Sequence, residues 1–533
     1  MPFDPHFHPY PSPRPPVYAD RGMVATGHPL AAQAGLRILQ AGGNAIDAAV
    51  ATAAALTVVE PTANGIGGDV FALVWTGGKL HGLNGSGPSP ALLTPEAVAG
   101  LEKMPTYGWL PVTVPGAPAS WAALVKRFGR LPLTQVLAPA IELAERGHPI
   151  APMVAWGFER ANRIFRERLK GAEFQHWFDL FIQDGKVPKA GDRWVSKPHA
   201  DTLRQIAETD ADSFYRGALA QQIDQFSRET GGLLRAEDLA AFQPEWVEPI
   251  KVDYRGYQVW EIPPNGQGIV TLMALQMLEG FDFPAREDVQ AYHRAIEAIK
   301  IAFADAHAQV TDPNHMAYTS AELLNPAYVA QRRELIGAQA IDPQAGEPPK
   351  GGTIYLATAD DEGNMVSFIQ SNYMGFGSGL VVPGTGITLQ NRGHGFTLAE
   401  GHPNQVAPRK RPFHTIIPGF LTKGAEPIGP FGVMGGFMQP QGHLQVVQSL
   451  VDFGLNPQAA LDAPRWQWLE GKKVSFESSV PRHIVEALAR LGHQVEWATS
   501  STSFGRGQII YRLPNGTLVG GTEHRTDGQI AAW

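Results

Sequence analysis

The sequence predicts an α+β protein that forms one continuous domain. Apolar residues recur at helical spacing through most of residues 130–300, whereas residues 353–370 form two short strand patterns around a turn. A length of 533 residues would allow several domains, but glycine and proline are spread along the chain and no linker divides it. Hydrophobic residues make up 44% of the sequence, which is enough for a large folded core.

Two helices are predicted near the N-terminus. The first covers residues 30–41 and ends at Gly42 and Gly43. Asn44 then caps a second helix that runs to about residue 58, with Asp47 placed to suit the positive end of the helix dipole. Almost every residue of this second helix is small and apolar, so we expect it to be buried on all sides.

A glycine-rich turn and a strand pair follow. Residues 64–69, NGIGGD, lack the lysine of a phosphate-binding P-loop, so they predict a tight turn into a strand over residues 70–75. Residues 79–87 supply a hairpin partner for that strand and a loop.

The middle of the chain is mostly helical. Helices are predicted over residues 131–146, 154–167, 197–209 and 288–306. A strand is predicted over residues 254–262, ahead of a turn at 263–266. Residues 334–350 predict a mobile segment that leads into the next element, as a maturation linker would.

A hairpin that begins at a threonine is the most informative element. Its strands cover residues 353–359 and 365–370, and Gly363 in the turn is free to take a positive φ. If the bond between Gly352 and Thr353 breaks, Thr353 gains a free α-amine with a pKa of roughly 7.7–8.0. That amine can accept the hydroxyl proton, so one residue would supply both nucleophile and base. The alternative is that Thr353 is an ordinary β-branched strand residue.

Residues 351–367, GGTIYLATADDEGNMVS, surround this threonine. They resemble the processing site of the γ-glutamyltranspeptidase (glutathione hydrolase) family. The resemblance extends over residues 17–533, and motifs in this order over this length are far more specific than any one of them. The other matching segments are 27–69, 114–121, 254–268, 302–313, 409–420, 434–466 and 520–528.

The resemblance implies the N-terminal-nucleophile hydrolase fold, a four-layer αββα sandwich. The helix-rich residues 1–352 and the strand-rich residues 353–533 agree with this architecture. It also implies self-cleavage between residues 352 and 353. The large chain, 1–352, and the small chain, 353–533, would then stay associated as one intertwined domain. Whether several such heterodimers assemble into an oligomer stays open.

The catalytic residues that the resemblance implies are all present. Thr353 would be the nucleophile, and Ser371 matches a hydroxyl residue that hydrogen-bonds it. Gly435 and Gly436 match the pair whose backbone N–H groups form the oxyanion hole. Stabilisation of this kind is commonly the largest catalytic contribution.

The residues that would grip a free α-amino acid are replaced. Asn84 stands where the family has an arginine for the α-carboxylate, and Gly395 stands where it has an aspartate for the α-amine. Tyr373 replaces an asparagine that contacts substrate, and Arg392 a glutamine or glutamate. His414, followed by Thr415, takes the place of paired serines.

Two of these residues carry alternatives. Arg392 is predicted to bind a substrate carboxylate, or else to be a surface or structural arginine. His414 would suit a Ser/His pair with Ser371 or Ser378, but we expect a pocket wall or a satisfied hydrogen-bonding residue.

The predicted function is amide hydrolysis or acyl transfer through a threonyl ester, on γ-glutamyl amides such as glutathione. Water or an acceptor amine would release the acyl group. The alternative enzyme is an amidohydrolase or acylase for another acidic amide, of glutaryl or oxamate type, because the α-carboxylate and α-amine contacts are replaced. A non-catalytic binding protein is a third class, against which the intact Gly-Gly-Thr junction argues.

The resemblance implies a small-molecule amide as the partner, and composition argues against two other classes. The net charge of −8 argues against nucleic acid or an anionic membrane as the main partner. Cysteine is absent, which removes thiolate metal sites, and no metal or organic cofactor is implied. The N-terminal segment has many prolines and lacks the apolar core of a signal peptide. The sequence contains no apolar run long enough for a transmembrane helix, so we expect a cytoplasmic protein. His6 and His8 could bind a metal, but an extended, solvated arm is the expectation.

Overall fold

The computed structural model describes residues 9–10, 14–343 and 352–533. His6, His8, Gly351 and residues 344–350 of the segment predicted to be mobile lie outside this range.

The described residues contain nineteen strands and seventeen α-helices. The strands are β1 Val17–Ala19, β2 Gly22–Thr26, β3 Asp69–Thr76, β4 Lys79–Gly85, β5 His148–Pro149, β6 Arg193–Trp194, β7 Glu245–Val247, β8 Ile250–Tyr254, β9 Tyr257–Glu261, β10 Gly352–Asp360, β11 Met365–Tyr373, β12 Gly419–Lys423, β13 Glu426–Met434, β14 Trp466–Glu470, β15 Lys473–Phe476, β16 Gln494–Trp497, β17 Arg506–Arg512, β18 Leu518–Thr522 and β19 Gln529–Ala532. The helices are α1 Pro29–Gln40, α2 Ala45–Val59, α3 Ala117–Phe128, α4 Leu133–Arg146, α5 Pro152–Arg168, α6 Gln175–Phe181, α7 Lys197–Glu208, α8 Asp212–Tyr215, α9 Ala218–Glu229, α10 Ala236–Ala241, α11 Gly268–Leu278, α12 Val289–Gln309, α13 Ser320–Leu323, α14 Pro326–Arg333, α15 Met438–Val451, α16 Pro457–Asp462 and α17 Arg482–Arg490.

Two seven-stranded antiparallel sheets form the centre of the molecule. The first has the strand order β1-β18-β17-β13-β12-β9-β8, and the second has the order β19-β2-β10-β11-β3-β4-β7. The sheets face each other, since β10 packs against β13 and β17. Both sheets contain strands from before and after residue 352, so the two parts of the chain are interleaved.

Helices cover the outer face of each sheet, which confirms the four-layer αββα sandwich. α1, α2 and α3 lie on the second sheet, and α11, α15 and α16 lie on the first. Every residue of α2 is buried, as its small apolar composition predicts. Asn44 caps this helix and forms a reciprocal capping box with Asp47. Such a cap stabilises a helix by about 1 kcal/mol.

One predicted strand is present but begins later than expected. Residues 254–262 were expected to form a single strand, but β8 ends at Tyr254 and β9 begins at Tyr257. Arg255, with φ 52°, and Gly256, with φ 81°, turn the chain between them. The buried positions are even-numbered in β8 and odd-numbered in β9, so the phase of the alternation shifts across this turn.

The predicted hairpin is present and slightly longer than expected. β10 pairs with β11 in antiparallel register, and Gly363 has φ 84° in the turn. β10 also pairs with β2, and β11 with β3, so the hairpin is central in its sheet. Among the described residues, no helix combines the length and apolar character needed to cross a bilayer.

Candidate active site

Thr353 lies at an irregularity in the central hairpin. Gly352 pairs with Tyr373 and Ile354 with Gln370, so Ser371 and Asn372 together lie opposite Thr353. This is a β-bulge, which redirects side chains and is frequent beside active sites. Thr353 is 1% exposed, so its hydroxyl is held inside the molecule.

Two side chains contact the hydroxyl of Thr353. Its Oγ1 lies 3.2 Å from Ser371 Oγ, and Gln439 Nε2 donates to it over 3.4 Å. Ser371 Oγ accepts the N–H of Tyr373 over 2.7 Å, which fixes the serine beside the threonine. The predicted contact between Ser371 and Thr353 is therefore present in the structure.

Gly435 and Gly436 form the turn between β13 and α15. Their φ values, 132° and 62°, belong to the region that favours glycine. Their carbonyl groups accept the N–H groups of Met438 and Gln439 over 3.1 Å each, so the carbonyls point into the helix. Within residues 14–343 and 352–533 we find no acceptor for the two glycine N–H groups. They are available to an oxyanion.

Arg392 is completely buried, so the alternative of a surface arginine is wrong, whereas a structural role and carboxylate binding both stay predictions. Its Nη1 donates to Thr415 Oγ1 over 2.8 Å, and its guanidinium carbon lies 4.2 Å from the centre of the Tyr373 ring. Nε lies 3.7 Å from Asp69 Oδ2. Burial lowers the pKa of Arg392 to about 10, against the opposing effect of Asp69. Neither Nε nor Nη2 has a hydrogen-bond acceptor in the described part of the chain.

Tyr373 supports this arginine from a constrained backbone. Its φ of 74° is rare for a residue with a side chain and costs roughly 1–2 kcal/mol. The conformation brings its N–H to Ser371 and its ring to Arg392. The end of β11 therefore contacts both parts of the site, because Tyr373 binds Ser371 beside Thr353 and packs against the guanidinium of Arg392.

His414 is a satisfied buried histidine. Its Nε2 lies 3.0 Å from Asp69 Oδ2, and its Nδ1 accepts the N–H of Ile416 over 3.4 Å. Burial, and then the charge of Arg392, hold the pKa of His414 well below its usual value, so the ring is neutral. Both ring nitrogens are engaged, and Ser378 Oγ donates to the carbonyl of Leu389. The Ser/His alternative is therefore not supported.

Asp69 connects the histidine and the arginine. Burial raises the pKa of Asp69 to about 7, while Arg392 and backbone N–H groups oppose the rise. Its Oδ2 is shared between His414 Nε2 at 3.0 Å and Arg392 Nε at 3.7 Å, and the second distance is too long for a hydrogen bond. The carboxyl neutralises Arg392 incompletely, and the buried guanidinium keeps part of its capacity for another anion.

Asn84 belongs to the same network but is engaged by its neighbours. Its Nδ2 donates to Asn265 Oδ1 over 3.0 Å, and its Oδ1 accepts the Ser86 N–H over 3.0 Å. The carbonyl of Asn265 in turn accepts the N–H of His414 over 2.9 Å. The Asn84 side chain thus holds two loops together. The carbonyl of Gly395 accepts Asn404 Nδ2 over 2.7 Å.

Sequence reasoning missed three residues of this site. Asp69 was part of a glycine-rich turn that predicted only structure, and Gln439 lies three residues after Gly436 in a matched segment. Gln267 donates to the carbonyls of both Thr415 and Gly436 through Nε2, over 2.6 and 2.9 Å. The signal that could have indicated Gln439 is its position in the first turn of α15, the helix that follows the glycine pair.

One other cluster of metal-ligating side chains lies buried in the described residues: His293, Glu297 and His493. Lys300 Nζ already lies 2.6 Å from Glu297 Oε1. His293 Nε2 donates to the carbonyl of Gly337 over 2.9 Å, so its Nδ1 accepts from His493 Nε2 over 2.8 Å. The ligand atoms are paired with one another, and the cluster is an internal hydrogen-bond network.

Comparison with known proteins assigns the family. The Gamma-glutamyltranspeptidase family model matches residues 31–533. A glutathione hydrolase-like YwrD proenzyme of Bacillus subtilis (strain 168) is 39% identical over 527 residues, which is 96% of this chain and 98% of that protein. An oxamate amidohydrolase proenzyme of Klebsiella pneumoniae is 34% identical over 96% of this chain and 98% of its own.

A solved structure supports the same family assignment. The crystal structure of a cephalosporin acylase from Bacillus halodurans superimposes with a TM-score of 0.96 and 59% identity, over 100% of this chain and 99% of that one. The chain therefore belongs to the γ-glutamyltranspeptidase family of N-terminal-nucleophile hydrolases, whose members named here include proenzymes.

Proposed function

We propose that the protein is an amide hydrolase that cuts its own chain before Thr353 and then uses Thr353 as the nucleophile. The observation that carries this proposal is the surroundings of Thr353 Oγ1. It is buried, it contacts Ser371 and Gln439, and the segment of Gln439 also presents the two glycine N–H groups. A β-branched strand residue without a catalytic role would need none of these.

The reaction follows from these groups. After the cut, the free amine of Thr353 takes the proton from Oγ1 as Oγ1 bonds to the substrate carbonyl carbon. The carbonyl π electrons move to its oxygen, which the N–H groups of Gly435 and Gly436 receive. Collapse expels the amine product with that proton and leaves a threonyl ester. Water, or an acceptor amine, then releases the acyl group.

The cut itself would use the same hydroxyl. Oγ1 would attack the carbonyl of Gly352, the peptide nitrogen of Thr353 would leave, and water would cleave the resulting ester. Fragments 1–352 and 353–533 would result.

Terminal sequencing of the purified protein tests this mechanism. We expect two associated fragments, the smaller beginning Thr-Ile-Tyr-Leu. Thr353→Ala should remain one uncut and inactive chain, because it lacks the attacking oxygen. Thr358→Ala is the matched control, since Thr358 lies in the same strand and its Oγ1 has a structural partner, the carbonyl of Ala45. An uncut Thr353→Ala protein that retains activity would exclude the mechanism.

For the substrate we propose an amide whose acyl group ends in a carboxylate and lacks an α-amine. Arg392 offers buried donors without acceptors, and a buried unpaired donor is costly until a ligand supplies its acceptor. Gly395 offers no carboxylate to an α-amine. The name of one relative, an oxamate amidohydrolase, supports this class, because the acyl group of oxamate ends in a carboxylate and has no α-amine.

A γ-glutamyl amide is the second candidate, favoured by the relative named glutathione hydrolase-like. Initial rates on oxamate, glutaryl and γ-glutamyl amides, measured side by side with the wild-type enzyme, separate the two. If kcat/KM for the γ-glutamyl amide is higher by about 100-fold, roughly 2.7 kcal/mol, the proposed substrate class is wrong.

A further inference from the structure

Gln439 makes a contact that neither the family assignment nor the sequence motifs explain. It is fully buried and is the second residue of α15. Its side chain bridges two groups: Oε1 accepts the N–H of Ile417 over 2.9 Å, and Nε2 lies 3.4 Å from Thr353 Oγ1.

The orientation of this amide is fixed by chemistry. The backbone N–H of Ile417 can only donate, so the atom of Gln439 that faces it must be the carbonyl oxygen. The NH₂ group must therefore face Thr353, and it can only donate. Of the two contacts to Thr353 Oγ1, the one with Ser371 can run in either direction, whereas the one with Gln439 runs only toward the threonine.

We propose that Gln439 is a further catalytic residue, which donates an N–H to the nucleophilic oxygen of Thr353. This inference rests on the proposed function. As the proton leaves Oγ1 for the amine and the electron pair it vacates forms the bond to the carbonyl carbon, negative charge passes through Oγ1. A donor to that oxygen favours loss of the proton. When the threonyl ester later breaks, the same N–H stabilises Oγ1 as the leaving group.

The length of the contact agrees with this role. A separation of 3.4 Å is long for a bond to a neutral hydroxyl, and catalytic hydrogen bonds are often long before charge develops. Hydrogen bonds that involve a charged group are shorter and stronger than neutral ones. The interaction is therefore weak in the resting state and gains strength as the reaction proceeds.

Gln439→Glu is the decisive variant because it keeps the shape and makes the donor depend on pH. As a carboxylate it only accepts, and when protonated it can donate again. We expect kcat to fall about 10- to 100-fold at pH 8, with KM nearly unchanged, and the ratio to wild type to recover as the pH is lowered. Self-cleavage of the purified precursor should slow in parallel.

Two further variants separate catalysis from folding. Gln441→Glu is the matched control: Gln441 lies in the same buried helix and donates to the carbonyls of Phe437 and Trp468, away from Thr353. It should lower the melting temperature without a pH-dependent loss of kcat. Gln439→Met keeps the side-chain length without any donor, so its loss of kcat should be the same at every pH.

The outcomes are distinguishable. If the wild-type protein is not cut before Thr353, the proposed function fails whatever Gln439 does. If it is cut, and Gln439→Glu retains wild-type kcat at pH 8 or loses no more than Gln441→Glu, the role of Gln439 is refuted alone. A pH-dependent loss confined to Gln439→Glu supports it.

Discussion

Arg392 shows how burial changes the chemistry of a single residue. Its guanidinium is removed from water, lies over Tyr373, and is only partly balanced by Asp69 at 3.7 Å. An incompletely neutralised buried cation is destabilising unless it serves a ligand. The arrangement favours an anionic acyl group as the missing partner.

Replacing Arg392 with methionine tests this at the residue scale. Methionine keeps apolar bulk over Tyr373 and removes the donors. Asp69 should tolerate the change, because its pKa is already raised to about 7 by burial and loss of the nearby cation raises it further, toward the neutral acid. We expect KM for glutaryl or oxamate amides to rise about 10- to 100-fold, and KM for a neutral acyl amide to change little.

Arg411→Met is the control for this experiment. Arg411 is satisfied by the carbonyl of Ser86 and by Glu245, so its loss should affect acidic and neutral substrates equally. Equal effects of Arg392→Met on both substrates would make Arg392 a structural residue.

The residues of the site differ in how far the sequence could reveal them. Thr353, Ser371 and the glycine pair lie within continuous motifs, so their placement could be predicted. Asp69 meets Arg392 and His414 across more than 300 positions of sequence, and no local pattern encodes that contact. Its neighbours in the chain predict only a turn. Residues that act through a distant partner become visible only after the strands are paired.

At the scale of elements, the turn from β13 into α15 must meet two structural requirements. It must leave two N–H groups without internal partners, and it must start a helix whose second residue reaches Thr353. Both require the positive φ values of Gly435 and Gly436.

Substitutions at Gly436 separate the need for its N–H group from the need for its positive φ. Gly436→Ala keeps the N–H, so we expect self-cleavage to persist, with a loss of stability of roughly 1–2 kcal/mol at φ 62°. Gly436→Pro removes the N–H and cannot adopt that φ, so kcat should fall on the order of 10²–10³-fold. Circular dichroism and melting temperature report folding for each. A folded proline variant with wild-type kcat would exclude Gly436 from the oxyanion hole.

The helices that were predicted lie close to their observed bounds, although α3 and α15 were not predicted, and strand order was not predictable. Helix α7 begins at residue 197 as expected, since the spacing of apolar residues is a local signal. In contrast β2 pairs with β10 and β19, which lie more than 300 and 500 positions away. Each strand satisfies the same alternating pattern, so composition alone does not select its neighbour.

At the scale of the whole molecule, the proposed cut lies at the start of β10, a strand in the middle of its sheet. β10 and β11 of the small chain are bounded by β2 and β3 of the large chain. Residues near the end of the large chain are also held by the small chain, since the N–H of Ala340 donates to the carbonyl of Leu491. We therefore expect the two fragments to elute as one particle in gel filtration and to separate only in denaturant.

Refolding from denaturant provides the quantitative test. The cut wild-type protein should regain structure with a rate or yield that rises with protein concentration, because two chains must meet. Thr353→Ala, which stays continuous, should refold independently of concentration. Identical concentration dependence for both proteins would contradict the interleaved assembly of two separate chains.

The mixing of strands from both sides of residue 352 in each sheet also bears on the lifetime of the enzyme. The uncut chain can search for its fold within one molecule, whereas the cut chains, once apart, must find each other by diffusion. Persistence of the mature enzyme is then set by its barrier to unfolding, and dilution works against recovery. Each active centre would in effect be assembled once, and a centre lost to unfolding would be replaced by new synthesis.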